Sequence, residues 1–261
     1  MRSPADLFDV AGKVVVVTGG SRGIGEMIAS GFVHAGARVY ISSRKADACQ
    51  ALASELSAHG ECIAAPEDLS TLGGVQRLAA AVAEREERVH VLVNNAGITW
   101  GAPLEEYPDE AFDRVLALNV KSVFHCTVQF LTLLRAAATA EDPARVINIG
   151  SVEGITVPHW ENYAYPASKA AVHMLTRQLA HRLASESITV NAIAPGLFPS
   201  RMTAFVSDDP EASTAITQAV PLGRWGRPED IAGAAIFLAS TVGSYCTGAI
   251  LPVDGGVSTH G

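Results

Sequence analysis

Short runs of β-branched and other apolar residues alternate with longer helical patterns along nearly the whole chain. The first run, KVVVVT (13–18), is apolar at consecutive positions, which is typical of a strand buried on both faces of a sheet. The pattern GIGEMIASGFVHAG (23–36) follows it and predicts a helix that ends at glycine. This alternation indicates right-handed βαβ units, and therefore a parallel sheet covered by helices on both faces. The other six predicted strands lie in segments 37–43, 62–66, 88–97, 144–151, 188–196 and 249–256.

The length and composition are those of one large folded unit. The chain has 261 residues, of which 48% are apolar and 18% are charged, enough for a sizeable core. Since no linker-like break in composition divides it, we predict one domain over residues 1–261. The irregular segment 197–220 interrupts the alternation, and excursions of this length in compact domains are usually functional. We expect it to form a lid over a substrate site; the alternative is a surface insertion.

Charge and cysteine usage argue against several classes of protein. The 19 basic and 27 acidic residues give a net charge of −8, whereas nucleic-acid binding needs a basic surface. The N-terminus carries acids where a signal peptide needs an apolar run, and no uninterrupted apolar run reaches about 18 residues. We therefore expect a cytoplasmic protein with no nucleic-acid or membrane partner. Four scattered cysteines indicate buried thiols of a reducing compartment, not a disulfide or metal site: Cys49, Cys62, Cys126 and Cys246.

A glycine-rich motif, TGGSRGIG (18–25), lies where the first predicted strand meets the first long helix. At such a junction the backbone must turn sharply and leave room for a pyrophosphate at the helix N-terminus. Glycines supply the positive φ and the close approach that this requires. The motif predicts a doubly wound, Rossmann-type fold that binds a dinucleotide; the alternative is a tight βα turn without a ligand. The predicted cofactor-binding residues here are Gly19, Ser21, Arg22, Gly23, Ile24 and Gly25.

The end of the second predicted strand distinguishes the two nicotinamide dinucleotides. An acid about 20 residues beyond the cradle binds the ribose 2′-hydroxyl of NAD, but the stretch ISSRK (41–45) contains none. Arg44, next to Ser43, can instead pair with a 2′-phosphate in a fork geometry, and Arg22 of the cradle is expected to reach the same phosphate. The sequence therefore predicts NADP(H) as the cofactor. The alternative is that Arg44 and Lys45 are solvated charges at the start of a helix.

Further motifs follow in a fixed order along the chain. They are DLS (68–70), NNAG (94–97), Asn119, Ser151, YPASK (165–169) and PG (195–196). Together with the glycine-rich turn, this ordered set resembles the short-chain dehydrogenase/reductase family over essentially the full chain. Within the family, several stretches resemble the 3-oxoacyl reductases named for rhamnolipid biosynthesis: NNAGITWGAPLEEYP, ARVINIGSVEGI, FPSRMT and PLGRWGRPED.

The resemblance implies roles for individual residues. Asp68 and Leu69 are expected to hold the adenine, and Asn95 to help seat the cofactor. Gly196 and Phe198 are expected beside the nicotinamide, although the chain departs from the family pattern there: Phe198 and Ser200 replace the frequent aliphatic residue and threonine. The implied catalytic group is Asn119, Ser151, Tyr165 and Lys169.

The stretch NYAYPASK (162–169) offers two candidate tyrosine acids. Residues four apart share a helix face, so Tyr165 lies near Lys169, whereas Tyr163 is six residues away. An ammonium about 4 Å from a phenolate, at an effective dielectric of about 20, contributes roughly 4 kcal/mol, or up to ~3 units of pKa. We therefore predict Tyr165 as the general acid and Tyr163 as a packing or pocket-rim residue. Pro166 places Tyr165 in the first turn of the helix.

Three polar residues keep alternatives open. Ser151 follows the fifth predicted strand, at the edge of the sheet where ligands bind, so its hydroxyl is expected to hold the substrate oxygen; the alternative is a cap. The resemblance makes Asn119 the anchor of a relay water to Lys169, and the alternative is a core amide that bends the helix. Glu153 is expected either to contact a polar group of the substrate or to face solvent.

The predicted pocket is mainly apolar, which suits an acyl chain or a hydrophobic ketone. The predicted function is NADPH-dependent reduction of a ketone, such as a 3-oxoacyl thioester. The alternatives are a dehydrogenase of a small alcohol, sugar or steroid, and a non-catalytic dinucleotide-binding regulator. The resemblance implies a homotetramer, and a stripe of His173, Arg177 and His181 is expected to contact another subunit or an acyl carrier protein. The pocket candidates are Trp100, Val152, Glu153, Val157, His159, Trp160, Leu197, Phe198, Met202, Phe205 and Val206.

Overall fold

The strand and helix alternation produces one seven-stranded parallel sheet in a computed structural model that describes residues 3–158, 160–200, 203, 214 and 217–259. The strands are β1 (Val14–Thr18), β2 (Arg38–Ser42), β3 (Cys62–Ala64), β4 (Val91–Asn94), β5 (Ala144–Ile149), β6 (Ile188–Pro195) and β7 (Ile250–Val253). Their order across the sheet is β3-β2-β1-β4-β5-β6-β7. Because the winding direction changes between β1 and β4, a crevice opens there at the carboxyl ends of the strands. The predicted fold class is confirmed.

Helices cover both faces of the sheet. The helices are α1 (Pro4–Leu7), α2 (Gly23–His34), α3 (Ala46–Leu56), α4 (Leu72–Ala83), α5 (Asp109–Leu116), α6 (Ser122–Ala137), α7 (Ala164–Leu183) and α8 (Pro228–Ala239). On β1, Val15 and Val17 point into one core, with α2, α3 and α8, while Val14 and Val16 point into the other, with α4, α6 and α7. Every residue of β1 is buried, which explains its unbroken apolar run.

The long helix predicted over 108–137 contains an irregularity. A π-helical segment, Ala117–Lys121, joins α5 to α6, and Asn119 lies at its centre. Such segments are frequent at functional sites. By length and composition, Asp109–Ala137 would be able to cross a membrane, but core helices of folded proteins pass the same test. In this fold α6 packs against α4 and the sheet, and α5 packs against α7.

Candidate active site

The glycine-rich turn forms a cradle between β1 and α2. Gly19 and Gly23 have φ of +64° and +56°, the left-handed region that favours glycine. A Cβ atom at Gly25 would lie 2.3 Å from the Gly19 carbonyl oxygen, so no larger residue fits there. The N-terminus of α2, which begins at Gly23, offers unpaired N–H groups. These features fit a pyrophosphate.

Asn95, just after β4, holds the backbone of the cradle in place. Its Nδ2 donates to the carbonyl oxygens of Thr18 and Gly19 at 2.9 and 3.0 Å. Its backbone N–H donates to Thr18 Oγ1 at 2.9 Å. The contribution of Asn95 to cofactor binding is therefore to fix the turn between β1 and α2.

The residues predicted for the adenosine end of the cofactor surround the carboxyl end of β2. Arg44 is exposed there, and the Ser43 hydroxyl donates to the Lys45 carbonyl. Burial raises the pKa of Asp68, but hydrogen bonds from Ser70 and the nearby Arg44 charge outweigh it and hold that pKa below its usual range. Leu69 is only 4% exposed and its side chain belongs to the core, so its backbone alone is available to an adenine.

A cleft of about 950 Å³ extends from the cradle to Tyr165. It runs along the carboxyl ends of β1, β4, β5 and β6, as expected for a doubly wound sheet. Six of the predicted site residues do not line it: Ser21, Ser43, Arg44, Asp68, Leu69 and Asn119. The predicted residues that do line it are Gly19, Arg22, Gly23, Ile24, Gly25, Asn95, Ser151, Tyr165, Lys169, Gly196 and Phe198.

Ser151, Tyr165 and Lys169 come together at the far end of the cleft. Ser151 lies just beyond β5 and close enough to Tyr165 to lower the pKa of that residue. Its hydroxyl caps a 3₁₀ turn by accepting from Glu153 N–H at 3.1 Å. Tyr165 lies in the first turn of α7, as the position of Pro166 predicted. Lys169 Nζ is 5.5 Å from the centre of the Tyr165 ring and donates to the Ile149 carbonyl at 2.8 Å.

Tyr163 lies outside this group. It is 37% exposed, does not line the cleft, and donates its hydroxyl to Glu161 at 3.0 Å. Its ring packs edge-on against Tyr107. These contacts describe a packing residue at the surface.

The expected lowering of the Tyr165 pKa by Lys169 is not found. Burial raises the pKa of Tyr165, the Glu153 carboxylate raises it further, and the Ser151 hydrogen bond opposes both. Burial also lowers the pKa of Lys169 to about 8, while Glu153 acts in the opposite direction. The reason is that Tyr165 and Lys169 are both buried away from water, which disfavours the phenolate and the ammonium alike. Tyr165 therefore retains its proton until a substrate oxygen accepts it.

Asn119 uses its whole amide to join three parts of the chain. Its Oδ1 accepts from Ile98 N–H, and its Nδ2 donates to the Ile98 carbonyl and to Ser168 Oγ, each at 2.9 Å. The side chain thus ties the loop after β4 to α7, next to Lys169. These contacts are those of a core amide in an irregular helix, which positions the neighbouring segments; the relay-water role stays a prediction.

Glu153 was predicted as a pocket candidate and lines the cleft, whereas its partner Asn162 was not predicted as a site residue. Asn162, just before α7, donates its Nδ2 to Glu153 Oε2 at 2.8 Å, and both residues line the cleft. Burial raises the pKa of Glu153, although Asn162 and Lys169 lower it. An asparagine before a helix is indistinguishable in sequence from a cap, so only the tertiary contact identifies its role.

His173 does not belong to an exposed stripe with Arg177 and His181. It is 4% exposed, whereas the other two are exposed. A Cβ atom at Gly150 would lie 2.2 Å from His173 Nε2 and one at Gly154 would lie 2.9 Å from Cε1, so the ring supports the loop that carries Ser151. The three residues are spaced four apart along α7, but the helix turns its face at His173 toward the sheet.

The segment after β6 begins within the described residues and then leaves them. Gly196 packs against Asp254, and Phe198 is 2% exposed with its ring against Gly226. Ser200 lies beside Gly23 of the cradle. Most of the predicted lid (197–220) lies outside the described residues, as do four pocket candidates: His159, Met202, Phe205 and Val206.

The four cysteines are free thiols in the structure. Burial raises the pKa of Cys62 to about 11 and that of Cys126 to about 12, so neither is a reactive thiolate at neutral pH. No cluster of three or more His, Cys, Asp or Glu side chains suited to a metal ion occurs among the described residues.

A Rossmann-type sheet with a glycine cradle at one end of a cleft and a Ser–Tyr–Lys group at the other defines a dinucleotide-dependent oxidoreductase. A family model described as enoyl-(acyl carrier protein) reductase matches residues 19–258. The chain belongs to the short-chain dehydrogenase/reductase family.

Relatives with curated descriptions include a rhamnolipids biosynthesis 3-oxoacyl-[acyl-carrier-protein] reductase of Pseudomonas aeruginosa. It is 55% identical over 95% of this chain and 97% of its own length. Galactitol 2-dehydrogenase (L-tagatose-forming) of Cereibacter sphaeroides is 38% identical, with 96% of each chain covered.

Two solved structures are similar over nearly the full length. The RhlG/NADP active-site complex of Pseudomonas aeruginosa has a TM-score of 0.95 and 54% identity, and covers 99% of this chain and 100% of the other. A gluconate 5-dehydrogenase from Burkholderia cenocepacia, in complex with NADP and tartrate, has a TM-score of 0.91 and 30% identity, again over 99% and 100%.

Proposed function

We propose that this chain is an NADP(H)-dependent ketoreductase that acts on a 3-oxoacyl thioester or a similar β-keto compound. The observation that carries the proposal is the group of Ser151, Tyr165 and Lys169 at one end of a cleft that begins at a dinucleotide cradle. The relative described as a 3-oxoacyl reductase supports the substrate class.

The residues of the chain have separate tasks in this reaction. A bound nicotinamide cofactor supplies the hydride. The Ser151 and Tyr165 hydroxyls, which share one end of the cleft, hold the ketone oxygen, and Tyr165 Oη gives its proton to that oxygen. The Lys169 ammonium, fixed by the Ile149 carbonyl, stabilises the phenolate that remains. Because its pKa is about 8, Lys169 exchanges protons readily near neutral pH.

Two arginines support NADP(H) over NAD(H). Arg44 is exposed at the end of β2 in a stretch without acids, and Arg22 lines the cleft. A guanidinium pairs well with a phosphate, and the absence of a carboxylate removes a source of repulsion. NADP is bound in the two similar structures described above.

A dehydrogenase of a small polyol or other secondary alcohol is the second candidate function. The polar pair Glu153–Asn162 within the cleft favours it, because hydroxyl groups suit such acceptors. Relatives that include galactitol 2-dehydrogenase give it further support.

A substrate panel distinguishes the two candidates. Purified protein is incubated with NADPH or NADH and with 3-oxoacyl thioesters, β-ketoesters, keto-sugars and steroids, and consumption of the reduced cofactor is followed. We expect the highest kcat/KM for a 3-oxoacyl thioester with NADPH. Higher values for keto-sugars would favour the second candidate, and no turnover of any carbonyl would contradict both.

We further propose a cytoplasmic homotetramer of single-domain chains, with segment 197–220 as the substrate lid. Large apolar side chains on the outer faces of α5, α6 and α7 support association: Phe112, Phe124, Val128 and Met174 are exposed. Sedimentation equilibrium should give four times the mass of one chain. A monomeric mass at micromolar concentration would contradict the assembly.

A further inference from the structure

Glu153 and Asn162 form a polar pair in the wall of the cleft. Asn162 Nδ2 donates to Glu153 Oε2 at 2.8 Å, and both residues line the cleft together with Ser151 and Tyr165. Asn162 is 8% exposed, and its Oδ1 is buried without a hydrogen-bond partner among the described residues. Within the same part of the chain, no hydrogen bond reaches the second oxygen of Glu153.

The two unused atoms of this pair are both acceptors. A buried acceptor without a donor, such as Asn162 Oδ1, is unfavourable, and the carboxylate of the half-buried Glu153 is stabilised by a further donor. The cation nearby is Lys169, but its Nζ donates to the Ile149 carbonyl. His173, the other basic group under this loop, is neutral above a pKa of about 4 because burial lowers that pKa. The wall of the cleft therefore presents hydrogen-bond acceptors to which the protein itself supplies no further donor.

We infer that Glu153 and Asn162 form a substrate subsite that binds a neutral hydrogen-bond donor, an amide N–H or a hydroxyl, next to the reacting ketone. This inference rests on the proposed reductase function and specifies its substrate. A substrate with a carboxylate in contact with Glu153 is disfavoured, because like charges repel at short range.

The short separation of Ser151 and Glu153 along the chain suits such a substrate. Glu153 is two residues from Ser151, and two residues span at most about 7 Å of backbone, so both side chains start close together in the wall of the cleft. In a 3-oxoacyl thioester of a pantetheine-type arm, the first amide nitrogen is six bonds from the ketone carbon, a comparable distance. In a polyol, a hydroxyl on a nearby carbon offers the same chemistry.

Matched ligand pairs test the subsite. The first pair is the N-acetylcysteamine thioester of 3-oxohexanoic acid and its isostere in which the amide N–H is replaced by an ester oxygen. The second pair is 4-hydroxybutan-2-one and butan-2-one. Dissociation constants are measured by calorimetry without cofactor, and kcat/KM with NADPH, for the wild type, Glu153→Ala, Glu153→Gln and the control Glu105→Ala. Glu105 is an exposed acid that does not line the cleft.

We expect the wild type to prefer the donor-bearing member of one pair by about tenfold or more, mainly through KM. The first pair identifies an amide as the donor and the second identifies a hydroxyl. Glu153→Ala should bring the ratio of the two dissociation constants close to one, Glu153→Gln should give an intermediate ratio, and Glu105→Ala should match the wild type.

Equal binding of both members of both pairs by the wild type would overturn the subsite. A preference that survives in Glu153→Ala would do the same. Absence of carbonyl reduction would contradict the proposed function alone, because the calorimetric ratio tests the subsite independently of turnover.

Discussion

Tyr163 and Tyr165 are two residues apart and have opposite environments. Tyr165 contacts Ser151 and Lys169 at the cleft, whereas the Tyr163 hydroxyl is bonded to exposed Glu161. A proton donor can act only within hydrogen-bond reach of the atom that receives the proton. The difference between the two residues is therefore one of position, since both have the same intrinsic chemistry.

Replacement of Tyr165 by phenylalanine should lower kcat/KM for ketone reduction by about 10² to 10⁴. The variant keeps the ring that packs against Lys169 but has no proton to give. Tyr163→Phe should retain most of the activity, because it loses only a surface hydrogen bond. Steady-state kinetics with NADPH measures both, and the reverse order of effects would refute the assignment.

Arg44→Asp should raise the Kd of NADPH by about 100-fold and change that of NADH by less than about threefold. The substitution removes a cation and adds an anion beside the expected 2′-phosphate, and a charge-assisted hydrogen bond is worth roughly 1.5–3 kcal/mol. Arg88→Asp, the same charge change at an exposed position before β4, is the control. Fluorescence titration of the wild type and both variants gives the six constants, and equal losses for both cofactors would argue against the phosphate contact.

At the scale of elements, the junction between β1 and α2 depends on contacts that leave no room for a side chain. Gly25→Ala would place a methyl group 2.3 Å from the Gly19 carbonyl oxygen and 2.4 Å from Asn95 Nδ2. We expect a loss of about 2 kcal/mol or more in the free energy of unfolding and a weaker affinity for NADPH.

Gly233→Ala is the matched control for this substitution. Gly233 is exposed within α8 and a Cβ there meets nothing within 4 Å, so alanine should stabilise the helix by up to about 1 kcal/mol. Urea unfolding and dinucleotide titration measure both variants. Similar unfolding energies for the two would show that the cradle tolerates a side chain.

The loop that carries Ser151 should make the protein sensitive to acid through His173. Burial lowers the pKa of His173 from 6.5 to about 4, so the unfolded chain binds more protons than the folded one between these values. The free energy of unfolding should therefore fall by about 2 kcal/mol as the pH drops from 7.5 to 4.5. His173→Gln should show a flatter profile in urea unfolding at the two pH values. Parallel profiles would mean that His173 does not titrate in this range.

The helices, strands and turns were predictable because the residues that determine each one are neighbours in the sequence. The unbroken valines of β1, the glycines of the cradle and the first-turn proline of α7 each reflect the backbone of a few residues. The π-helical segment around Asn119 was not predictable, because its partners Ile98 and Ser168 are distant in sequence. Burial was also misjudged where packing decides it: His173 faces the sheet, and the Tyr165 pKa is raised.

At the scale of the whole molecule, the parallel sheet determines which residues meet. The carboxyl ends of β1, β4, β5 and β6 place the cradle, Asn95, Ser151 and Gly196 around one cleft. Motif order and strand alternation therefore predicted most of the site. The pair of Glu153 and Asn162 depends on how the loop after β5 folds back on the start of α7, which no local pattern records.

The central claim is that Tyr165 protonates a ketone that receives its hydride from NADPH. The most direct test uses NADPH carrying deuterium at both C4 positions, with the N-acetylcysteamine thioester of 3-oxohexanoic acid, and mass spectrometry of the product. We predict a 3-hydroxyacyl product with one deuterium at C3 from the wild type, and on the order of a hundredfold less from Tyr165→Phe. A product without deuterium, or equal yields from the two proteins, would contradict the account.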